Sequence, residues 1–422
     1  MPDGLKRPIL WSFGTQLVAT TLQMLVLLLV ARQLGPDGQG KLATATLPPQ
    51  LLVVALNLGL GQALIYFLNQ GVTLMEEARA LCRQLFLRVV PAGLLIALLV
   101  QSLAGRWLYP GIPGPLLVAA LPLLPATLAR LWWCQLLQAK RDFRWYNRLQ
   151  LLQPLLLLVL LLAALGMVPP PLSPLLVVLL MAGSQALTWA VATRVLGPCQ
   201  ETPPGGRQDD RGLLGRCLRY GLPSLGSNLL EFINLRGSLL LVNGFLGPHA
   251  AGLFKLDTQL GEPLLLPASA AVTVLFPQLS QADLGGQRRL TLTRTWLARC
   301  LATGLVLGAG IALIAPRLVP MLFGEGFAQA LPVLPLLLPA YLCWSAVNVL
   351  WAHMAASGFP HRPLRIGLGI LAVNLVANLA LIPRLGLPGA ALASSLTFAA
   401  GALLSWMTIP RVARQSVPFR SP

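Results

Sequence analysis

Apolar runs, nearly free of charge, recur from one end of this chain to the other. Each is about 20 residues long, enough to cross ~30 Å of hydrocarbon as a helix. The chain is 56% hydrophobic and 10% charged, whereas a soluble domain sits near ~45–50% apolar and ~25% charged. So few charges cannot cover a water-facing surface. The runs are continuous and do not alternate at every second residue, which excludes an outer-membrane barrel. The chain is therefore expected to be an all-α polytopic membrane protein. Twelve spans are expected, near 9–32, 43–67, 86–105, 115–138, 149–167, 172–195, 221–245, 254–278, 296–316, 329–356, 364–383 and 387–408. The first run is too long for a cleaved signal peptide and lacks an A-x-A site, so it is read as a retained span.

The runs are not independent of one another. Leu34-Gly35-Pro36-Asp37-Gly38-Gln39-Gly40 returns as Leu246-Gly247-Pro248-His249-Ala250-Ala251-Gly252, a shift of 212 in a chain of 422 residues. Without a gap the match reaches back through Leu27-Leu28-Leu29-Val30 and Leu239-Leu240-Leu241-Val242 to Gly14/Gly226 and Ser12/Ser224. A shift of half the length implies two copies of one unit. The copies are expected at 1–197 and 214–422, each a bundle of six helices, with a Pro-, Gly- and Arg-rich cytoplasmic linker at 198–213.

Net charge +18 would suit a nucleic-acid partner, but the charges lie in short clusters between apolar runs, as orientation signals do. No nucleic-acid partner is expected. Lys6, Arg7, Arg79, Arg83, Arg88, Lys140, Arg141, Arg144 and Arg148 fall on one side. So do the groups around Arg211, Arg289, Arg362 and Arg414. The other side carries only Arg32, Lys41, Arg106, Lys255, Arg317 and Arg384. The bias places both termini in the cytoplasm and requires an even number of spans. Six helices per copy then make the repeats parallel, the arrangement that suits alternating access around a central cavity.

Several familiar motifs dissolve on inspection. Gly35-x4-Gly40-Lys41 looks like a phosphate loop, yet Leu42 replaces the Mg²⁺-holding hydroxyl and no strand precedes it. A tight turn needs Gly and Pro for backbone reasons alone. The six Cys show no metal or redox spacing and read as small core residues. The three His lie far apart and no nucleophile pairs with a base, so neither a catalytic nor a metal site is expected. Trp132, Trp133, Trp145, Tyr146 and Trp351 are read as interfacial belts. Prolines inside spans, among them Pro122, Pro154, Pro263, Pro267 and Pro339, mark kinks or hinges.

Polar residues inside the spans carry the functional signal, because a charge at mid-membrane costs about 2.5–3.5 kcal/mol on insertion scales. The cationic candidates for substrate binding are Arg130, Arg236 and Lys255; the acids that would couple transport to protons or Na⁺ are Glu231, Asp257 and Glu262. Gln16, Asn57, Asn228, Asn234, Asn374 and Asn378 are polar candidates for a cavity lining. No organic cofactor or metal is called for.

Four segments have the look of a known family. They are Gln33–Gly61 with the continuation Gln62-Ala63, Gln135–Leu152 with its basic Lys140-Arg141-Asp142-Phe143-Arg144 loop, Ala355-Ala356-Ser357-Gly358, and Asn374-x3-Asn378-x2-Leu381-Ile382-Pro383-Arg384-Leu385-Gly386 running into Gly389-Ala390-Ala391-Leu392-Ala393. Together they resemble the oligosaccharide/polysaccharide flippase family of the multidrug/oligosaccharidyl-lipid/polysaccharide (MOP) exporter superfamily. The resemblance implies flipping of an undecaprenyl-diphosphate-linked oligosaccharide across a bacterial inner membrane for surface polysaccharide biosynthesis. Glycosyltransferases and a polysaccharide polymerase would be its partners. Members often carry an Asp in span seven where this chain reads Arg236-Gly237-Ser238; if that Asp takes part in coupling elsewhere, ion coupling here must use another acid or work differently.

Two other readings stand beside it. A cation-coupled drug exporter of the same superfamily would need an acid-lined rather than Arg-lined site. An integral-membrane enzyme of glycan assembly would need larger outer loops than these, and no enzymatic activity is expected.

Overall fold

A computed structural model of the chain describes residues 3–69, 75–140, 142–197, 210–279, 285–357, 359 and 361–415. Among these the regular structure is helical, with no strand. The helices are α1 (Asp3–Leu56), α2 (Leu60–Asn69), α3 (Met75–Leu108), α4 (Gly114–Ala120), α5 (Leu123–Ala139), α6 (Phe143–Met167) and α7 (Pro174–Leu196). They continue as α8 (Asp210–Gly261), α9 (Leu266–Leu279), α10 (Gly286–Phe323), α11 (Leu334–Ala356), α12 (His361–Leu385) and α13 (Leu387–Gln415). Two 3₁₀ turns, Glu262–Leu265 and Glu325–Ala330, precede α9 and α11.

Among the described residues, ten stretches are long and apolar enough to cross a membrane. Two of them, Val18–Leu56 and Leu225–Phe276, run to 39 and 52 residues. At 1.5 Å per residue these would reach ~58 and ~78 Å, far beyond one bilayer. Each is two helices joined across a kink, at Gly35 (φ 63°, ψ −179°) in α1 and at Gly247 (φ 83°, ψ 178°) in α8. Counted separately, the halves bring the crossings to about twelve, as the apolar runs require. The two glycines are the repeated residues of the Leu-Gly-Pro motif. Both take nearly the same positive-φ conformation, which a side chain disfavours. The repeat in sequence is thus a repeat in backbone.

By packing, the chain divides into one unit of Met1–Leu34 with Lys41–Leu229 and a second of Gly35–Gly40 with Leu230–Pro422. The division falls inside α8, at Leu229/Leu230. Residues 198–209 of the expected linker lie outside the described residues, and α8 begins at Asp210. In the second unit the two motif turns meet. A Cβ on Gly40 would fall on the Pro248 carbonyl oxygen, and one on Gly252 would fall on that of Pro36.

The core of the first unit gathers Leu60 and Leu64 of α2, Leu81 and Cys82 of α3, Leu124, Leu128, Trp132 and Leu136 of α5, Leu149 of α6 and Ala192 of α7. The second unit packs Ala268 and Leu275 of α9, Leu297 and Cys300 of α10, and Val349, Leu350 and Met354 of α11. Cys82, Cys134, Cys217 and Cys300 are buried, as small core residues should be; Cys199 lies outside the described residues.

Three expected spans are interrupted. The run 43–67 breaks at Asn57–Gly59, 115–138 breaks at Leu121–Pro122, and 254–278 tightens into the turn Glu262–Leu265. Trp132 is a further correction. It is no belt residue: it is 1% exposed, and its Nε1 donates to Asn57 Oδ1 at 2.8 Å, holding the first of these breaks against α5. The belt rule places indoles by their polar tip at the membrane–water interface, and here the tip has a partner inside the protein. Trp132→Phe keeps most of the packing and leaves Asn57 Oδ1 unpartnered. It is expected to cost about 1–2 kcal/mol, read as a lower melting temperature in detergent; an unchanged melt would rule out the bond.

Candidate functional site

The second unit builds its polar cluster at the break after α8. Pro263 has no N–H to give, and the helix tightens there into a 3₁₀ turn. Ser345 of α11 ties that turn down, its Oγ donating to Leu264 O at 2.8 Å. Gly261, just before the turn, lies so close to Tyr341 that a Cβ would strike the ring. Glu262 heads the turn and meets Arg236 of α8, Nη2 to Oε1, at 2.7 Å. The two side chains are 29% and 35% exposed, so the pair is accessible from one side.

Lys255 stands two helical turns before Glu262 and shares its face of α8. It lies within the electrostatic reach of both Arg236 and Glu262. The Thr258 hydroxyl donates to Lys255 O at 2.8 Å, and the Tyr341 hydroxyl reaches Thr258. Asp257 is 1% exposed, and its Oδ2 has no hydrogen-bond partner among the described residues. The structure thus brings together Arg236, Lys255 and Glu262, with Tyr341 and Asp257 behind them. Two cations share one paired carboxylate.

Glu231 lies apart, beside the Trp344 indole, and forms no ion pair with Arg236 among the described residues. A second group in the same unit is neutral. Asn378 Nδ2 of α12 donates to Ser238 Oγ of α8 at 3.2 Å, to Asn374 O at 2.8 Å and to Asn374 Oδ1 at 3.0 Å. Asn234 Nδ2 reaches Gly367 O at 3.4 Å. All four side chains are buried. These asparagines join α8 to α12.

In the first unit Arg130 of α5 is half-buried, with its Nε donating to Gln185 Oε1 of α7. Its field also reaches the buried Cys134. Gln153 of α6 reaches Ser184 Oγ of α7 at 3.5 Å. No carboxylate pairs with Arg130 among the described residues. Asn57 is taken up by Trp132, and Asn228 is exposed on α8. Gln16 lies on α1, but its side chain is outside what the structure describes. No group of three or more His, Cys, Asp or Glu side chains converges to hold a metal among the described residues.

The profile of the polysaccharide biosynthesis protein family matches residues 5–283. The chain belongs to this family. The profile of the lipid II flippase MurJ matches residues 260–418, so the two together run almost the whole length of the transporter. Comparison with curated proteins finds no match. Among solved structures, a multidrug resistance MATE family transporter of the MOP superfamily, in its inward-facing conformation, superposes with a TM-score of 0.74 at 17% identity, covering 94% of this chain and 96% of the other. The lipid II flippase MurJ, inward closed, gives 0.73 at 12% identity, covering 97% and 90%. A MOP superfamily transporter from Pyrococcus furiosus gives 0.66 at 17% identity, covering 97% and 96%. At such identities the likeness is one of fold. The chain is a MATE-like, multi-pass membrane transporter of the polysaccharide biosynthesis type.

Reading single spans missed several of the residues that complete these clusters. Tyr341 and Ser345 look like ordinary members of an apolar helix, and Gln185 is a lone amide in span six. That lone amide was a usable signal, since an unpaired amide in lipid costs several kcal/mol.

Proposed function

We propose that the transporter flips a lipid-linked oligosaccharide, carried on a polyprenyl diphosphate, across the bacterial inner membrane by alternating access. The observation that carries this reading is the meeting of Arg236 and Lys255 at Glu262 inside an apolar span, with the Arg236–Glu262 pair about one-third exposed. A diphosphate is the natural occupant. It offers several oxygens to a guanidinium, which binds phosphate in a fork of charge-assisted hydrogen bonds. Arg130 in the first unit, held by a neutral amide and paired with no carboxylate among the described residues, offers its guanidinium to the same class of ligand. The prenyl tail would stay in lipid. The excess of Lys and Arg on one side supports cytoplasmic termini, and the headgroup would be taken up from the side where glycosyltransferases assemble it. Proton or Na⁺ coupling through Glu231, Asp257 or Glu262 belongs to the same proposal.

The test is a flipping assay in proteoliposomes with a fluorescent lipid-linked sugar. Arg236→Ala is expected to reduce initial flipping by about tenfold or more, and Arg130→Ala by a smaller factor, in line with loss of a charge-assisted contact of roughly 1.5–3 kcal/mol. Flipping at the wild-type rate in both variants would refute the assignment of these arginines.

A further inference from the structure

Glu262 presents a difficulty for any anionic headgroup, because it already occupies the guanidinium that should receive the diphosphate. We propose that Glu262 is a built-in counter-anion, which a diphosphate must displace from Arg236, and which thereby rejects singly charged phosphates. The proposal rests on the reading of Arg236 as a diphosphate ligand.

Three features carry it. The Arg236–Glu262 pair is about one-third exposed on both sides, and a half-exposed ion pair is weak enough to exchange. A sealed pair would not be. Second, the displaced carboxylate has somewhere to go: Lys255 shares its helix face and already lies within its field. Before the exchange Glu262 neutralises Arg236; after it Glu262 faces Lys255, and Arg236 faces the diphosphate. No charge is left stranded in the membrane, which is the condition for the exchange to be inexpensive. Third, Glu262 heads the 3₁₀ turn between α8 and α9, where the α-helical ladder is interrupted and Leu264 O is held by a side chain of α11. Moving the carboxylate there disturbs a turn, not a helix. Arg236 is therefore bolted to the turn while the site is empty and released from it when a headgroup arrives.

Selectivity follows from competition. A monoanionic phosphate ester offers little more charge than the carboxylate it must replace. A diphosphate offers more charge and more acceptors, so it alone wins the guanidinium.

The experiment uses the purified full-length protein in detergent, with inorganic pyrophosphate and inorganic phosphate as probes, at a pH acidic enough to hold phosphate as the monoanion, and binding read by calorimetry. Glu262→Gln is expected to tighten pyrophosphate binding by about fivefold to tenfold, the equivalent of removing a half-exposed ion pair, and to narrow the preference for pyrophosphate over phosphate. Glu262→Asp, which keeps the acid but withdraws it by one methylene, should fall between Glu262→Gln and wild type and guards against a folding defect in the glutamine variant. In an Arg236→Gln background, Glu262→Gln should change nothing. If wild type binds pyrophosphate through Arg236 while both Glu262 variants bind it no more tightly, the counter-anion is refuted and the diphosphate site stands. If Arg236→Gln alone leaves pyrophosphate binding unchanged, the diphosphate site falls, and the counter-anion with it.

Discussion

Replacing Gly40 or Gly252 by alanine is expected to cost about 3 kcal/mol or more, or to prevent accumulation of the folded transporter. The added methyl group at Gly40 would occupy the place of the Pro248 carbonyl oxygen, and at Gly252 that of the Pro36 carbonyl oxygen. Both obstacles are backbone, so no rotamer change relieves them. Overpacking in a well-filled site costs about 1–3 kcal/mol even where side chains can yield. Gly183 of α7 is the control. It is helical with open space around its missing Cβ, and Gly183→Ala should be neutral or raise stability by up to about 1 kcal/mol. Thermal unfolding in detergent reads all three. A Gly40→Ala protein that melts with wild type would mean the two turns do not touch.

Asn378→Leu should be the most damaging single change in the buried polar network of the second unit, at about 2–3 kcal/mol. Leucine matches asparagine in shape but removes one amide that serves Ser238 Oγ, Asn374 O and Asn374 Oδ1 together. Hydrogen bonds between membrane helices contribute about 0.6–2 kcal/mol each, and the acceptors left behind are buried. The loss should shrink in a Ser238→Ala background, because one acceptor is then already gone. A double-mutant cycle on melting temperature checks this. Strict additivity of the two changes would place Ser238 outside the network.

The crossings were legible in the sequence because hydrocarbon imposes one requirement, length without charge, and each run meets it locally. The positive-φ turns at Gly35 and Gly247 were legible because the motif occurs twice and only glycine suits that backbone. The breaks inside spans were harder. Asn57–Gly59 interrupts an apolar run whose hydropathy hardly changes, and what stabilises the break is Trp132, 75 residues away. The candidate site was legible as an inventory and not as an arrangement. Helical spacing compares residues on one helix and cannot find a partner for Arg236 beyond it. That partner is Glu262, past the kink at Gly247 and in the turn that follows α8. Likewise Ser345 gains its role only through Leu264 O, on a turn 81 residues away.

The shift of 212 that pairs the two Leu-Gly-Pro turns also shows what the copies do not share. It sets Met24 against Arg236, Ala43 against Lys255, Ala45 against Asp257, Ala19 against Glu231 and Gln50 against Glu262. The ion pair and its neighbours therefore have no mirror image in the first copy, which meets them with apolar or neutral side chains. Its own cation, Arg130, sits on a helix outside this correspondence. The Leu-Gly-Pro turn is thus common to both halves of the sequence, while the Arg236–Glu262 pair belongs to one.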